Sequence, residues 1–124
     1  MIEQDKFASA PNEQLQMLEE LMGCDGFGPL IERACWDIER RLAAALAAEA
    51  DGNDSELGRQ AHGISGIALN LGLRLLHQRA QALVVCCKGG RQPEVAQLLR
   101  AFQSTVEAAL IFLRDYNRSR LPPN

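Results

Sequence analysis

The stretch Asn53-Asp54-Ser55-Glu56-Leu57-Gly58-Arg59-Gln60-Ala61-His62-Gly63-Ile64-Ser65-Gly66-Ile67-Ala68-Leu69-Asn70-Leu71-Gly72 decides the fold of this chain. Leu57, Ala61, Ile64, Ala68 and Leu71 recur at spacings of four and three, the period of one helix face. Asn53 and Glu56, three positions apart, form a capping pair at its start, and Gly72 closes it. His62 is off the apolar stripe, about 100° from Ala61 and about 160° from Ile64, so it faces outward. Residues three and four positions away share its face, which places Gly58, Arg59, Ser65 and Gly66 around it with Gly63 and Leu69 at the margins. Each glycine weakens a helix interior by about 1 kcal/mol relative to alanine, so something other than helix stability selected them. Glycines around an exposed imidazole lower the local surface and let another protein's active site reach the ring.

The same period extends in both directions. Upstream, Pro11 suits a helix start, with Leu15, Leu18 and Met22 at helical spacing until Gly23, which makes a short first helix. Gly23-Cys24-Asp25-Gly26-Phe27-Gly28 reads as a loop leading to Pro29, after which Ile31, Cys35, Ile38, Leu42 and Ala45 form a stripe that fades at Glu49. Downstream of Gly72, Leu73, Leu76, Ala80, Leu83 and Cys87 repeat up to Lys88-Gly89-Gly90. Pro93 opens a last helix along Val95, Leu98, Leu99, Phe102, Val106, Ala109, Leu110, Leu113 and Tyr116, and the tail from Asn117 to Asn124 is expected to fray. Four helices of about 17 to 24 residues, roughly 25 to 36 Å long and joined by short connections, predict an all-α, antiparallel up-down four-helix bundle. The short N-terminal helix caps one end. The 124 residues suit a single domain, with its core over about 11–117.

Composition agrees and limits the function. Apolar residues make up 47% and aromatic residues 5%, and the apolar set is mostly leucine and alanine, which favour helices over strands. With 13 Lys+Arg against 16 Asp+Glu the net charge is −3, which gives little electrostatic reason to expect nucleic acid or an anionic membrane as partner. No apolar run reaches the roughly 18 residues of a membrane span, and Met1-Ile2-Glu3-Gln4-Asp5 is unlike a signal peptide, so a soluble cytoplasmic protein is expected. Cys24, Cys35, Cys86 and Cys87 lack metal-ligand spacing; they read as reduced, with Cys35 and Cys87 in the core.

The run from Ala61 to Gly72 resembles the signature of histidine-containing phosphotransfer (HPt) domains, commonly His-x-Leu-Lys-Gly-Ser-Ser/Ala-x-x-Leu-Gly after an alanine. Ala61, His62, Gly66, Ala68, Leu71 and Gly72 match, and Ile64 replaces the leucine conservatively. Leu76, Ala80 and Leu83 resemble the family's next helix. The resemblance implies that His62 accepts a phosphoryl group from the phospho-aspartate of one response-regulator receiver domain and passes it to another, within a system fed by a hybrid sensor kinase. It implies a phosphocarrier without turnover of its own, acting as a monomer, binding no cofactor and relying on magnesium in the partner receiver. Neutral imidazole, the usable nitrogen nucleophile, predominates at cellular pH. Where the family usually carries lysine this chain has Ser65, so Ser65 and Arg59 are the expected stabilisers of the phosphoryl group, and Gly63, Gly66 and Leu69 the expected docking residues.

Other classes fare less well. Dimetal bundle enzymes need inward Glu and Glu-x-x-His sets, which are absent, and Glu56 lies six residues before His62 on the wrong face. No base is oriented toward Cys35 or Cys87. His77 reads as a boundary or surface residue, and Arg74 and Arg79 as solvated helix charges. The remaining alternative is a regulator with this fold that docks on a receiver or kinase without carrying phosphate, a reading that the missing lysine keeps open.

Overall fold

The computed structural model describes residues 10–89 and 93–120. Four helices follow in order, α1 (Ala10–Ala50), α2 (Asp54–Leu71), α3 (Arg74–Lys88) and α4 (Glu94–Ser119). Each packs chiefly on its neighbours in sequence, and α4 closes back on α1. This is the expected up-down bundle, and among the described residues there are no strands.

The stop and start signals of the central helix act as read. Asn53 accepts the Glu56 backbone N–H on its side-chain oxygen at 3.1 Å, which satisfies one of the donors a helix start leaves without a partner. At the other end Gly72 adopts the left-handed conformation, φ 74°, which glycine reaches without the Cβ penalty of other residues. Leu73 follows directly, fully buried, and α3 begins one residue later. So short a connection forces α2 and α3 to run antiparallel and in close contact.

The N-terminal region departs from expectation. The stretch from Gly23 to Gly28 is not a loop: α1 breaks only at Gly23, where φ 75° and ψ 169° lie in a region essentially confined to glycine. Helical structure resumes at once, and Pro29 is accommodated inside it. The arm before Gly23 is the expected short capping helix. Its Leu15 is buried and Gln14 donates to the Asn70 carbonyl at 3.1 Å. Met22, placed on its apolar stripe by spacing, is instead 43% exposed, because so short an arm buries only a narrow strip of its surface. The expectation for Pro11 concerns a side chain outside the described set.

The C-terminal end is also more ordered than expected. Asn117, Arg118 and Ser119 belong to α4, and Arg120 turns back onto the Phe27 ring, 4.9 Å from its centroid. Residues 121–124 lie outside the described set, as does Gly90. The core is continuous through all four helices, with Phe27, Ile31, Ile38, Leu57, Ile64, Leu76, Leu83, Phe102 and Leu113 fully buried. Each such side chain contributes about 1.5–3 kcal/mol of transfer free energy. Cys35 and Cys87 are buried as read, Leu42 is only half-buried, and no disulfide joins the four cysteines. Burial pushes the Cys35 thiol above its usual range, partly offset by the charge of Arg114, which suits an unreactive core residue.

Candidate functional site

His62 projects from the middle of α2 and is exposed. The face around it is built by three glycines that do three different things. At Gly58 a Cβ would lie 3.3 Å from the Cys87 Cβ, so this glycine lets α3 approach α2 closely. At Gly66 nothing lies within 4 Å, so it leaves the surface beside the imidazole open. At Gly63 the space is already filled: a Cβ there would fall 2.6 Å from Arg41 Cζ and 2.9 Å from its Nε. Gly63 is therefore a seat for a side chain of α1 rather than open docking surface. Leu69, one turn beyond Gly66, is 61% exposed and continues the apolar part of the face.

Ser65 is the main correction to the expected face. It is 2% exposed, and its Oγ lies 2.9 Å from His77 Nδ1, which also approaches the Ser65 carbonyl at 3.2 Å. Helical geometry puts Ser65 about 60° from His62, on the flank where α3 packs, so the α3 contact covers it. The ring tautomer decides whether the serine O–H donates to Nδ1 or the Nδ1 N–H donates to serine oxygen. His77 is thus the boundary residue it was read as, with a definite partner.

Arg59 stays on the exposed face, one turn before His62, and is held there by Glu56. Arg59 Nε and Nη2 donate to the two Glu56 carboxylate oxygens at 2.8 and 2.9 Å, and Gln60 Nε2 donates to the same carboxylate at 2.8 Å. Those bonds, Arg59 first and Gln60 second, hold the Glu56 carboxyl down at about 2. Gln60 in turn accepts from Arg41 Nη1 at 3.2 Å. Neither Arg41 nor Gln60 was singled out from sequence; a glutamine at 6% exposure between Arg59 and Ala61 carries no periodic signal of its own.

A cleft of about 590 Å³ opens beside the imidazole, lined by Asp54, Ser55, Gly58, Arg59, His62, Val84, Cys87 and Lys88. It brings Lys88, from the last turn of α3, to the same hollow as His62 and Arg59. In the sequence Lys88 marks only a helix stop, because its place in the cleft depends on how α3 packs. Arg79, expected to be a solvated charge, is half-buried and donates to Thr105 Oγ1 at 2.6 Å. Among the described residues no three His, Cys, Asp or Glu side chains gather as a metal cluster, and no helix is long and apolar enough to cross a membrane.

No family model matches the chain, and no curated protein matches it in sequence. Among solved structures it is similar to histidine-containing phosphotransfer protein B (HptB) from Pseudomonas aeruginosa PAO1, with a TM-score of 0.81 and 23% identity, over 88% of this chain and 94% of that one. At this identity the likeness shows a shared fold, a helical bundle over nearly the whole length of both chains; function is a matter for the site.

Proposed function

We propose that this chain is a phosphoryl carrier of the histidine phosphotransfer type. The observation that carries the reading is an exposed histidine in mid-helix, on a face opened by Gly66 and flanked by Arg59 and Lys88, in a bundle similar to HptB. The unprotonated imidazole nitrogen attacks the phosphorus of an aspartyl phosphate on a receiver domain. An N–P bond forms, the acyl P–O bond breaks, and its electron pair stays on the aspartate carboxylate. The imidazolium proton on the other ring nitrogen passes to solvent, and the reverse sequence loads a second receiver. The chain contributes a positioned nucleophile, positive charge near the phosphoryl oxygens and a docking face. The receiver contributes magnesium and the acidic pocket.

Arg59 and Lys88 take the part expected of lysine at position 65, since the Ser65 hydroxyl is bonded to His77. Docking falls to Gly66 and Leu69, with the rim of the cleft formed by α3. The chain acts as a cytoplasmic monomer between receivers and a hybrid sensor kinase, with no turnover of its own. The burial of Ser65 also favours a second reading, a regulator that docks on receivers without carrying phosphate. The two separate when purified protein and a His62→Gln variant are mixed with magnesium and receiver domains charged by acetyl phosphate. Alkali-stable, acid-labile label on the wild type and none on the variant, with both equally stable to urea, is the expected result. Receivers that bind both proteins while labelling neither would replace the carrier with the regulator.

A further inference from the structure

A second guanidinium lies over Gly63, the residue after His62, and its placement depends on that glycine. Arg41, on the second arm of α1, rests where the side chain of residue 63 would otherwise be, and any Cβ there would collide with it. Its Nη1 donates to Gln60 at 3.2 Å, Gln60 donates to Glu56 at 2.8 Å, and Glu56 receives Arg59 through bonds of 2.8 and 2.9 Å. A continuous chain of side chains thus runs from α1 across α2, with Arg59 one turn before His62 and Arg41 on the flank next to it. Two guanidiniums and one carboxylate leave one positive charge. Among the described residues no carboxylate pairs with Arg41, and its Nε is enclosed with no hydrogen-bond partner. The group is seated by one hydrogen bond and is not neutralised.

We infer that Arg41 is a positioning residue for the phosphorylated state of His62: its seated charge stabilises the phosphoryl dianion, and through Gln60 and Glu56 it holds Arg59 toward the same oxygens. This rests on the carrier reading above. Arg41 takes no proton and makes no covalent bond; the N–P and P–O changes are those already given. A charge seated one residue along the helix acts on His62 through space, and salt weakens its effect. Gly63 is then part of the site because alanine would move the guanidinium.

The test uses the full chain, with receiver domains charged by acetyl phosphate and magnesium present. It follows the share of label on His62 and the half-life of phosphohistidine at low and high salt. Arg41→Gln is expected to lower both about tenfold at low salt, with the gap closing as salt rises, and Arg41→Lys to restore most of the loss. Gly63→Ala, with helical content unchanged by circular dichroism, is expected to behave like Arg41→Gln although every charge is retained. Wild-type labelling with Arg41→Gln indistinguishable from it at both salts would overturn the inference and leave the carrier reading intact. A wild type that takes no label would overturn both.

Discussion

Two arginines in this bundle lie over two glycines, at opposite kinds of site. Arg120 covers Gly28, where a Cβ would fall 2.6 Å from its Nη2, and Arg41 covers Gly63. Arg120 is fully employed: it donates to Asn117 at 3.0 Å and to the Cys24 carbonyl at 3.3 Å, pairs with Glu19 at 3.5 Å and stacks on Phe27. Arg41 has one bond, to Gln60, and an enclosed Nε with none. A buried donor without a partner costs about 1–3 kcal/mol, so proteins rarely keep one for stability's sake. The same arrangement is fully bonded at the end of the bundle and left partly unbonded next to Gly63, the difference on which the inferred role of Arg41 rests.

The comparison is tested most strongly by removing each guanidinium. Arg120→Gln is expected to lower unfolding stability by about 1–3 kcal/mol, since it strips a side chain only 9% exposed of its ion pair and its stacking. Arg41→Gln should stay within about 0.5 kcal/mol of wild type, because the orphaned Nε goes with it. Urea titrations of the two variants decide this, and equal losses would erase the distinction.

Adding a methyl group beneath each arginine gives a smaller effect of opposite sign. Alanine in a helix gains up to about 1 kcal/mol over glycine. Gly63→Ala is expected to keep that gain, as Arg41 can swing away after losing one hydrogen bond. Gly28→Ala should instead destabilise the protein by about 1 kcal/mol, as Arg120 leaves several partners. Thermal melts of the pair would break the comparison if both moved the same way.

The smallest effect concerns the carboxylate that links the two guanidiniums of the site. Glu56 is held at about 2 against an ordinary 4.5, so its pairing adds stability above pH 4.5 and loses it as pH falls through about 2. The group is exposed and the stability change is slight, so carboxyl NMR is the sensitive measurement. Arg59→Gln should move the Glu56 titration up toward 4.5, and Arg41→Gln should move it less.

How much of this could be read from residue order differs between regions for the same physical reason. Periodicity reports which face of a helix is buried, and it placed the α2 stripe, the Asn53 cap, the Gly72 stop and the exposure of His62. It is silent on what an adjacent helix lays against the flanks of that face. Ser65 is covered because α3 packs there, Gly63 because Arg41 reaches across from α1, and Lys88 shares a cleft with His62 only through the packing of α3 on α2. None of these leaves a mark in local spacing. Gly23 to Gly28 misleads for a related reason: three glycines in six residues suggest a loop, yet only Gly23 needs the positive φ, and at Gly28 the Arg120 guanidinium occupies the space a Cβ would take.

The break at Gly23 also bears on the order in which the chain assembles. Successive helices meet across connections of a few residues, so much of the bundle closes through local contacts, whereas the break in α1 is clasped on both sides to the far end of the chain: Tyr116 donates to Glu19 before it, 97 positions away at 3.4 Å, and Arg120 to the Cys24 carbonyl just after it, 96 positions away. Such contacts reward the chain only after almost its entire length has been drawn into a loop. The clasp thus carries a large loop-closure cost, while the segment that bears His62 packs on α3 across a connection of two residues.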